Sequence, residues 1–177
     1  MKTIRVAHRY AKALYDLSAE EKLQHKVFPD MKLVSAICQE KAFKNLLISP
    51  IINSGKKAEA TVAVFEGHVQ TLTLEFLKLV IRKKREYFIP QIAVQFNEIY
   101  KETNGILSTE IQSAVALDKS IRNSMVEKLK KQTKANEIDL KETVDEDLIG
   151  GFVLKYQNQL YDASIRRQLN ELKRLLT

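Results

Sequence analysis

The spacing of apolar side chains changes once along this chain, and the change divides it. Up to Asn104 apolar positions recur three and four residues apart, the period of helices with one buried face. Val6, Tyr10, Ala13, Leu14 and Leu17 form the first series, with Ala7 and Ala11 as a smooth strip beside them. Ser18-Ala19-Glu20-Glu21 reads as a capping box that opens a second helix. The apolar face of that helix is Leu23, Val27, Met31, Val34 and Cys38, and Pro29 either kinks it or marks its true start. A short third helix, Lys41 to Leu47, is closed by Pro50, and Ser54 caps a fourth with Ala58, Val62 and Phe65 inward. The fifth, Leu72 to Ile81, is apolar over most of its circumference. That suits the central helix of a bundle, or a helix with one side left for a partner. Pro90 at a first turn, followed by Ile92, Ala93, Phe96, Ile99 and Tyr100, gives a sixth, ended by Asn104-Gly105.

From Gly105 the period becomes two. Leu107, Thr109, Ile111, Ser113, Val115 and Leu117 predict a strand. Asp118 caps a helix carrying Ile121, Met125 and Leu129, and Ile138, Leu140 and Val144 predict a second strand. After the pair Gly150-Gly151 a third strand runs from Phe152, with Leu154, Tyr156 and Leu160 on the same face and Lys155, Gln157 and Gln159 on the other. Asp162 is expected as the N-cap of a last helix, with Ser164 sharing that work. Ile165, Leu169, Leu172 and Leu176 line one face of that helix. The expected fold is mainly α: a bundle of six helices over residues 1–104, then a small α+β domain over 105–177 in the order β-α-β-β-α.

Composition agrees with long helices, since there are only five Gly and three Pro in 177 residues. The formal net charge is +7. Because the cations are spread along the chain, solubility is the favoured reading; nucleic-acid binding, through Arg82 to Arg85 and the basic face of the last helix, is the alternative. Those four cations follow a helix, where they also oppose the negative end of its dipole. The lone cysteine, Cys38, is expected in the core, and a single thiol forms no internal disulfide. The N-terminus lacks the continuous apolar run of a signal peptide, and no stretch has the roughly 20 apolar residues that span a bilayer.

Candidates for chemistry are few. His8, His25 and His68 fall on three different predicted helices, without a second ligand at metal-binding spacing. Gly150-Gly151 belongs to no phosphate-binding fingerprint, and no Ser or Cys sits in a nucleophile elbow. The pattern points to a non-catalytic protein with no metal and no cofactor, built to offer surfaces.

Two stretches carry a family resemblance. Leu148-Ile149-Gly150-Gly151-Phe152, with Asp162-Ala163-Ser164-Ile165 and Leu169 and Leu172 downstream, is similar to the signature of the delta subunit of bacterial F-type ATP synthases, whose mitochondrial counterpart is the oligomycin-sensitivity-conferring protein. Ala7-His8-Arg9-Tyr10-Ala11-Lys12-Ala13-Leu14 resembles the family's opening motif, with His8 where Arg is usual. The resemblance implies a peripheral-stalk, or stator, subunit of a proton-translocating complex that makes ATP. It also implies a place on the cytoplasmic face of the bacterial inner membrane, without insertion into it. In such a subunit the helical bundle holds the N-terminal helix of an alpha subunit, and the C-terminal domain joins the b-type stalk subunits. Capture of a helix needs apolar surface left over on two neighbouring helices. Helices one and five have it, so Ala7, Tyr10, Ala11, Leu14, Leu72, Phe76 and Leu79 are the expected alpha-subunit contacts. Gly150, Gly151, Asp162 and Ser164 are the signature positions.

Overall fold

The computed structural model describes residues 2–133, 135–156 and 159–175; Gln157 and Leu176, named above, lie outside them. The chain divides into two compact units, Met1–Tyr100 and Lys101–Thr177.

The first unit contains helices α1 (Lys2–Glu20), α2 (Gln24–Ile37), α3 (Lys41–Ile48), α4 (Ser54–Phe65) and α5 (Thr71–Arg82). A single 3-10 turn (Glu86–Phe88) then leads into α6 (Ile89–Asn104), whose last residues belong to the second unit. Leu14, Met31, Phe65, Leu77, Ile81, Ile89, Ile92 and Phe96 are fully buried at its centre. Rings fix the packing angles: Phe43 meets Phe65 edge-on at 5.6 Å, and Phe28 stacks on Tyr100 at 3.9 Å.

Several local readings change. Ser18 opens no helix: it is buried, its hydroxyl donates to the Tyr15 carbonyl at 2.7 Å, and α1 runs on to Glu20. Ser18 lies within α1 and α2 begins only at Gln24, so its hydroxyl bonds back into its own helix instead of capping the next. Pro29 lies inside α2, which begins at Gln24. Asn53 rather than Ser54 caps α4, accepting from the Lys56 amide at 2.9 Å. The inward face of α4 is Lys57, Thr61 and Phe65, while Ala58 and Val62 are only half-buried. Lys57 reaches inward because its ammonium donates to the Leu47 carbonyl (2.8 Å) and to Glu86 Oε1 (2.6 Å). Helix α5 is not enclosed on all sides: Thr73, Leu77, Val80 and Ile81 are buried, Leu72, Leu74 and Phe76 half-buried, and Leu79 exposed. Its N-terminus is capped from another helix, since buried Asp30 of α2 accepts from the Gln70 amide and the Thr73 hydroxyl, each at 2.8 Å.

The second unit contains β1 (Ile106–Ser113), α7 (Lys119–Thr133), β2 (Glu137–Val144), a 3-10 turn (Glu146–Leu148), β3 (Phe152–Tyr156), β4 (Gln159–Asp162) and α8 (Ile165–Leu175). The strands form one mixed sheet in the order β2-β1-β3-β4, with β1 parallel to β2 and antiparallel to β3. The end of α6 is tied to this sheet. Lys101 pairs with Asp139 at 2.9 Å, and the Asn136 amide donates to the carbonyl of Gly105, which turns at φ +66°. The fold class is as the pattern predicts, with one strand more. The long third strand is a hairpin in which β3 pairs antiparallel with β4. In that register Leu160 sits opposite Lys155 and Tyr161 opposite Leu154, so Leu160 falls on the outer face, not with Leu154. The first strand ends at Ser113, and Val115 beyond it is exposed. The core is small: Ile111, Leu129, Ile138 and Leu154.

Candidate interaction surfaces

Helix α1 presents two adjoining faces. Ala7, Ala11 and Leu14 are 0, 0 and 1% exposed and face the bundle's own core. An Asp at Leu14 would therefore test folding rather than binding. Beside them run Val6, Tyr10, Ala13 and Leu17, spaced four, three and four, the first two half-buried and the last two exposed. Helix α5 carries a matching strip, Leu72, Phe76 and Leu79. The two meet where Tyr10 packs edge-on against Phe76, with centroids 6.4 Å apart. Leu17 and Leu79, 43% and 41% exposed, mark the open flank. The sequence motif around residues 7–14 drew attention to the alanines. The spacing 6, 10, 13, 17 was the signal for the outward strip.

The signature residues of the second unit are local architecture. Gly151 has φ +77°, and a Cβ there would collide with the Ala163 carbonyl oxygen. Its own carbonyl accepts from the Ala114 amide, and Gly150 accepts from Ile165. Ser164, not Asp162, is the N-cap of α8: its hydroxyl accepts from the Arg167 amide at 3.2 Å. Asp162 stands two residues earlier and accepts the Ser164 amide at 2.9 Å. Those bonds from Ser164 hold the Asp162 carboxyl below the usual carboxylate range. Glycines and cap together clamp the start of α8 onto the turn before β3. None of these groups is arranged as a nucleophile or a base.

Beyond the cap, α8 turns its apolar stripe outward: Ile165, Leu169 and Leu172 are 42, 50 and 56% exposed. Arg166, Arg167 and Arg174 occupy its other sides, with Arg167 paired to Glu171 at 2.8 Å. An exposed apolar stripe of this kind is a candidate docking face. Between α7 and the sheet a recess lined by Met125, Leu129, Phe152, Leu154 and Tyr161 remains open.

The histidines and the cysteine lie apart. His8 and His68 are exposed, while His25 shares a 2.9 Å hydrogen bond with the Tyr100 hydroxyl. Cys38 is buried, which pushes its thiol up to about 12. Among the described residues no three His, Cys, Asp or Glu side chains gather as a metal site, and no helix is long and apolar enough to cross a membrane.

Known proteins match the chain along its whole length. The ATP synthase subunit delta of Cytophaga hutchinsonii is 34% identical over 178 residues, covering 100% of this chain and 97% of that protein. That of Carboxydothermus hydrogenoformans is 34% identical over 98% of both chains, and the chloroplastic subunit of Porphyra purpurea 31% identical over 95% and 91%. A chain in the structure of the Toxoplasma gondii mitochondrial ATP synthase shares the fold, with TM-score 0.74 over 96% of each chain at 17% identity. Residues 6–176 match the family described as ATP synthase delta (OSCP) subunit. The chain belongs to that family and is a non-catalytic, peripheral-stalk subunit of the ATP synthase.

Proposed function

We infer that the two units divide the stator's work. The first holds the N-terminal segment of an alpha subunit as an amphipathic helix, and the second joins the b-type stalk subunits, at the cytoplasmic face of a bacterial inner membrane. The observation that carries the first assignment is the apolar strip left open between α1 and α5: Val6, Tyr10, Ala13 and Leu17 on one helix, Leu72, Phe76 and Leu79 on the other. Two strips on neighbouring helices fit an occupant with apolar residues at i, i+3, i+4 and i+7. The outward stripe of α8 supports the second assignment. Apolar anchors carry most of the energy of such interfaces, whereas exposed ion pairs contribute about 0–1 kcal/mol each.

Calorimetric titration of the full chain with a synthetic peptide of the alpha N-terminal segment tests the strip. Leu79→Asp is expected to weaken binding by about 2 kcal/mol, as for a buried anchor, and to lower the melting temperature by only a few degrees because the side chain is 41% exposed in the free chain. Equal affinity for wild type and a folded Leu79→Asp variant would remove α5 from the site.

A further inference from the structure

Charge is not shared evenly between the two units. The first 100 residues hold 16 of the 29 Lys and Arg against 10 of the 22 Asp and Glu, a net +6 of the chain's +7. Within that unit the cations gather further. Lys2, Arg5, Arg9 and Lys12 precede the first acidic residue, Asp16, and Arg82-Lys83-Lys84-Arg85 are consecutive and exposed. The fold brings the two stretches together, because the Arg85 guanidinium carbon lies 5.9 Å from the centroid of the Tyr10 ring. Lys83 also continues the strip of α5 at the same spacing, 72, 76, 79, 83. Among the described residues, no ion pair forms at Arg9, Lys83, Lys84 or Arg85. The open apolar strip therefore ends in uncompensated positive charge.

The helix dipole of α5 does not account for this. A C-terminus carries about half an elementary charge, so four cations exceed it. Lys84 is moreover held at φ +55°, the left-handed position that closes a helix and that glycine occupies without strain. The turn is closed by Lys84 N–H to Ile81 O at 2.8 Å and Arg85 N–H to Val80 O at 3.1 Å. Lys22 ends α1 in the same way at φ +57°, with Leu23 N–H to Ser18 O at 2.8 Å, and follows the last strip residue of α1, Leu17, instead of belonging to the rim. It is a control with equal strain.

We propose that this basic rim, formed by Arg9, Lys83, Lys84 and Arg85, selects for carboxylates on the occupant of the α1/α5 strip. The inference rests on the reading that the occupant is the alpha N-terminal segment. It adds that this segment carries Asp or Glu beside its apolar stripe, at the end that lies over the α5–α6 turn. Exposed charges of this kind act mainly on encounter: complementary partners associate at up to about 10⁸–10⁹ M⁻¹s⁻¹ at low salt, against about 10⁵–10⁶ for neutral ones.

Stopped-flow association of the full chain with the alpha N-terminal peptide tests it, at low salt and at roughly 0.5 M, where charges are screened within a few ångström. The triple variant Lys83→Gln, Lys84→Gln, Arg85→Gln is expected to slow association about tenfold at low salt and less than about twofold at high salt, with dissociation unchanged. Lys84→Gly should raise the melting temperature by a few degrees and yet slow association, whereas Lys22→Gly should raise it with no kinetic effect. An unchanged association rate and salt slope in the triple variant, with binding still weakened in Leu79→Asp, would overturn the rim and leave the helix-capture reading intact. Absence of binding by the folded wild type would overturn that reading and the rim with it. Displacement of the peptide by a short DNA duplex or by phosphatidylglycerol vesicles, abolished in the triple variant, would show a general polyanion surface and overturn the selection of carboxylates.

Discussion

Among the described residues, the first unit holds eighteen buried apolar side chains and the second only five, although the two span 100 and 77 residues. Large exposed apolar residues, by contrast, are as numerous in the shorter unit, from Val115 through Leu160 to Leu172. The bundle completes its own core, and most of its exposed apolar residues, such as Leu33, Ile51 and Val64, are scattered outside the α1/α5 strip. The sheet unit buries a thin layer and exposes the stripe of its last helix. The difference teaches what each can do alone. On the proposed division of work, the bundle is a receptor already complete before a partner segment arrives, whereas the second unit has a surface that becomes a core only when covered. Burial of apolar area is the dominant stabilising term, at about 25 cal/mol per Å², so the second unit gains proportionally more from its partner.

The sharpest way to break the comparison is to remove the glycine that clamps the start of α8 in the second unit. Gly151→Ala places a methyl against the Ala163 carbonyl oxygen and forces a left-handed backbone on a residue with a Cβ. The second unit is expected to lose more than about 4 kcal/mol, seen as loss of strand signal in circular dichroism while the helical bundle melts as before. Retention of the sheet would mean that the clamp on α8 is not essential.

In the bundle the corresponding weak point is the buried pair Lys57–Glu86, with side chains 5% and 13% exposed. Lys57→Met leaves a buried carboxylate whose second oxygen already lacks a partner among the described residues, and should cost about 3 kcal/mol in urea denaturation. Adding Glu86→Gln should restore a large part of that loss, because the stranded charge is gone. An additive double variant would show that the two groups do not interact.

The third expectation concerns what covers the second unit. Leu169→Ser and Leu172→Ser together should leave the free chain's melting temperature within a few degrees, because both side chains are at least half exposed. Affinity for the soluble part of the b-type stalk subunits should fall about 100-fold or more. If the double variant instead unfolds the free chain, α8 packs inward in solution and the contrast between the units weakens.

Much of this was legible from periodicity. Six helices followed by strands can be read from where the spacing of apolar residues changes, and Gly105 marks that change because only a left-handed turn ends α6 there. What was not legible depends on partners distant in sequence. Nothing in the neighbouring sequence marks Lys57 or Asp30 as buried, yet each is buried because a group 29 or 40 residues away meets it. The hairpin of β3 and β4 was hidden because alternation continues through it, and a period of two does not report a reversal of direction. On α1 the same spacing served both faces, so Leu14 and Leu17 could not be separated into core and surface until α5 was in place.

The smallest effect is a pH dependence that belongs to one unit only. Asp162 accepts the Ser164 amide just before α8, and its carboxyl is held below its ordinary value of 3.8. A carboxylate lowered in the folded state contributes stability that is fully present above its unfolded pKa and is lost as pH falls through the folded one. Asp162→Ala should therefore lower the melting temperature of the second unit by a few degrees at neutral pH, as for the loss of a local cap. That gap should hold down to about pH 5 and narrow only below pH 4, as the wild-type carboxyl takes up its proton and gives up the charge-assisted part of the Ser164 bond. The bundle's transition should be the same in both proteins at every pH. A gap that closes between pH 7 and 5 would point to a group other than Asp162, because a carboxylate with a lowered pKa does not titrate in that range.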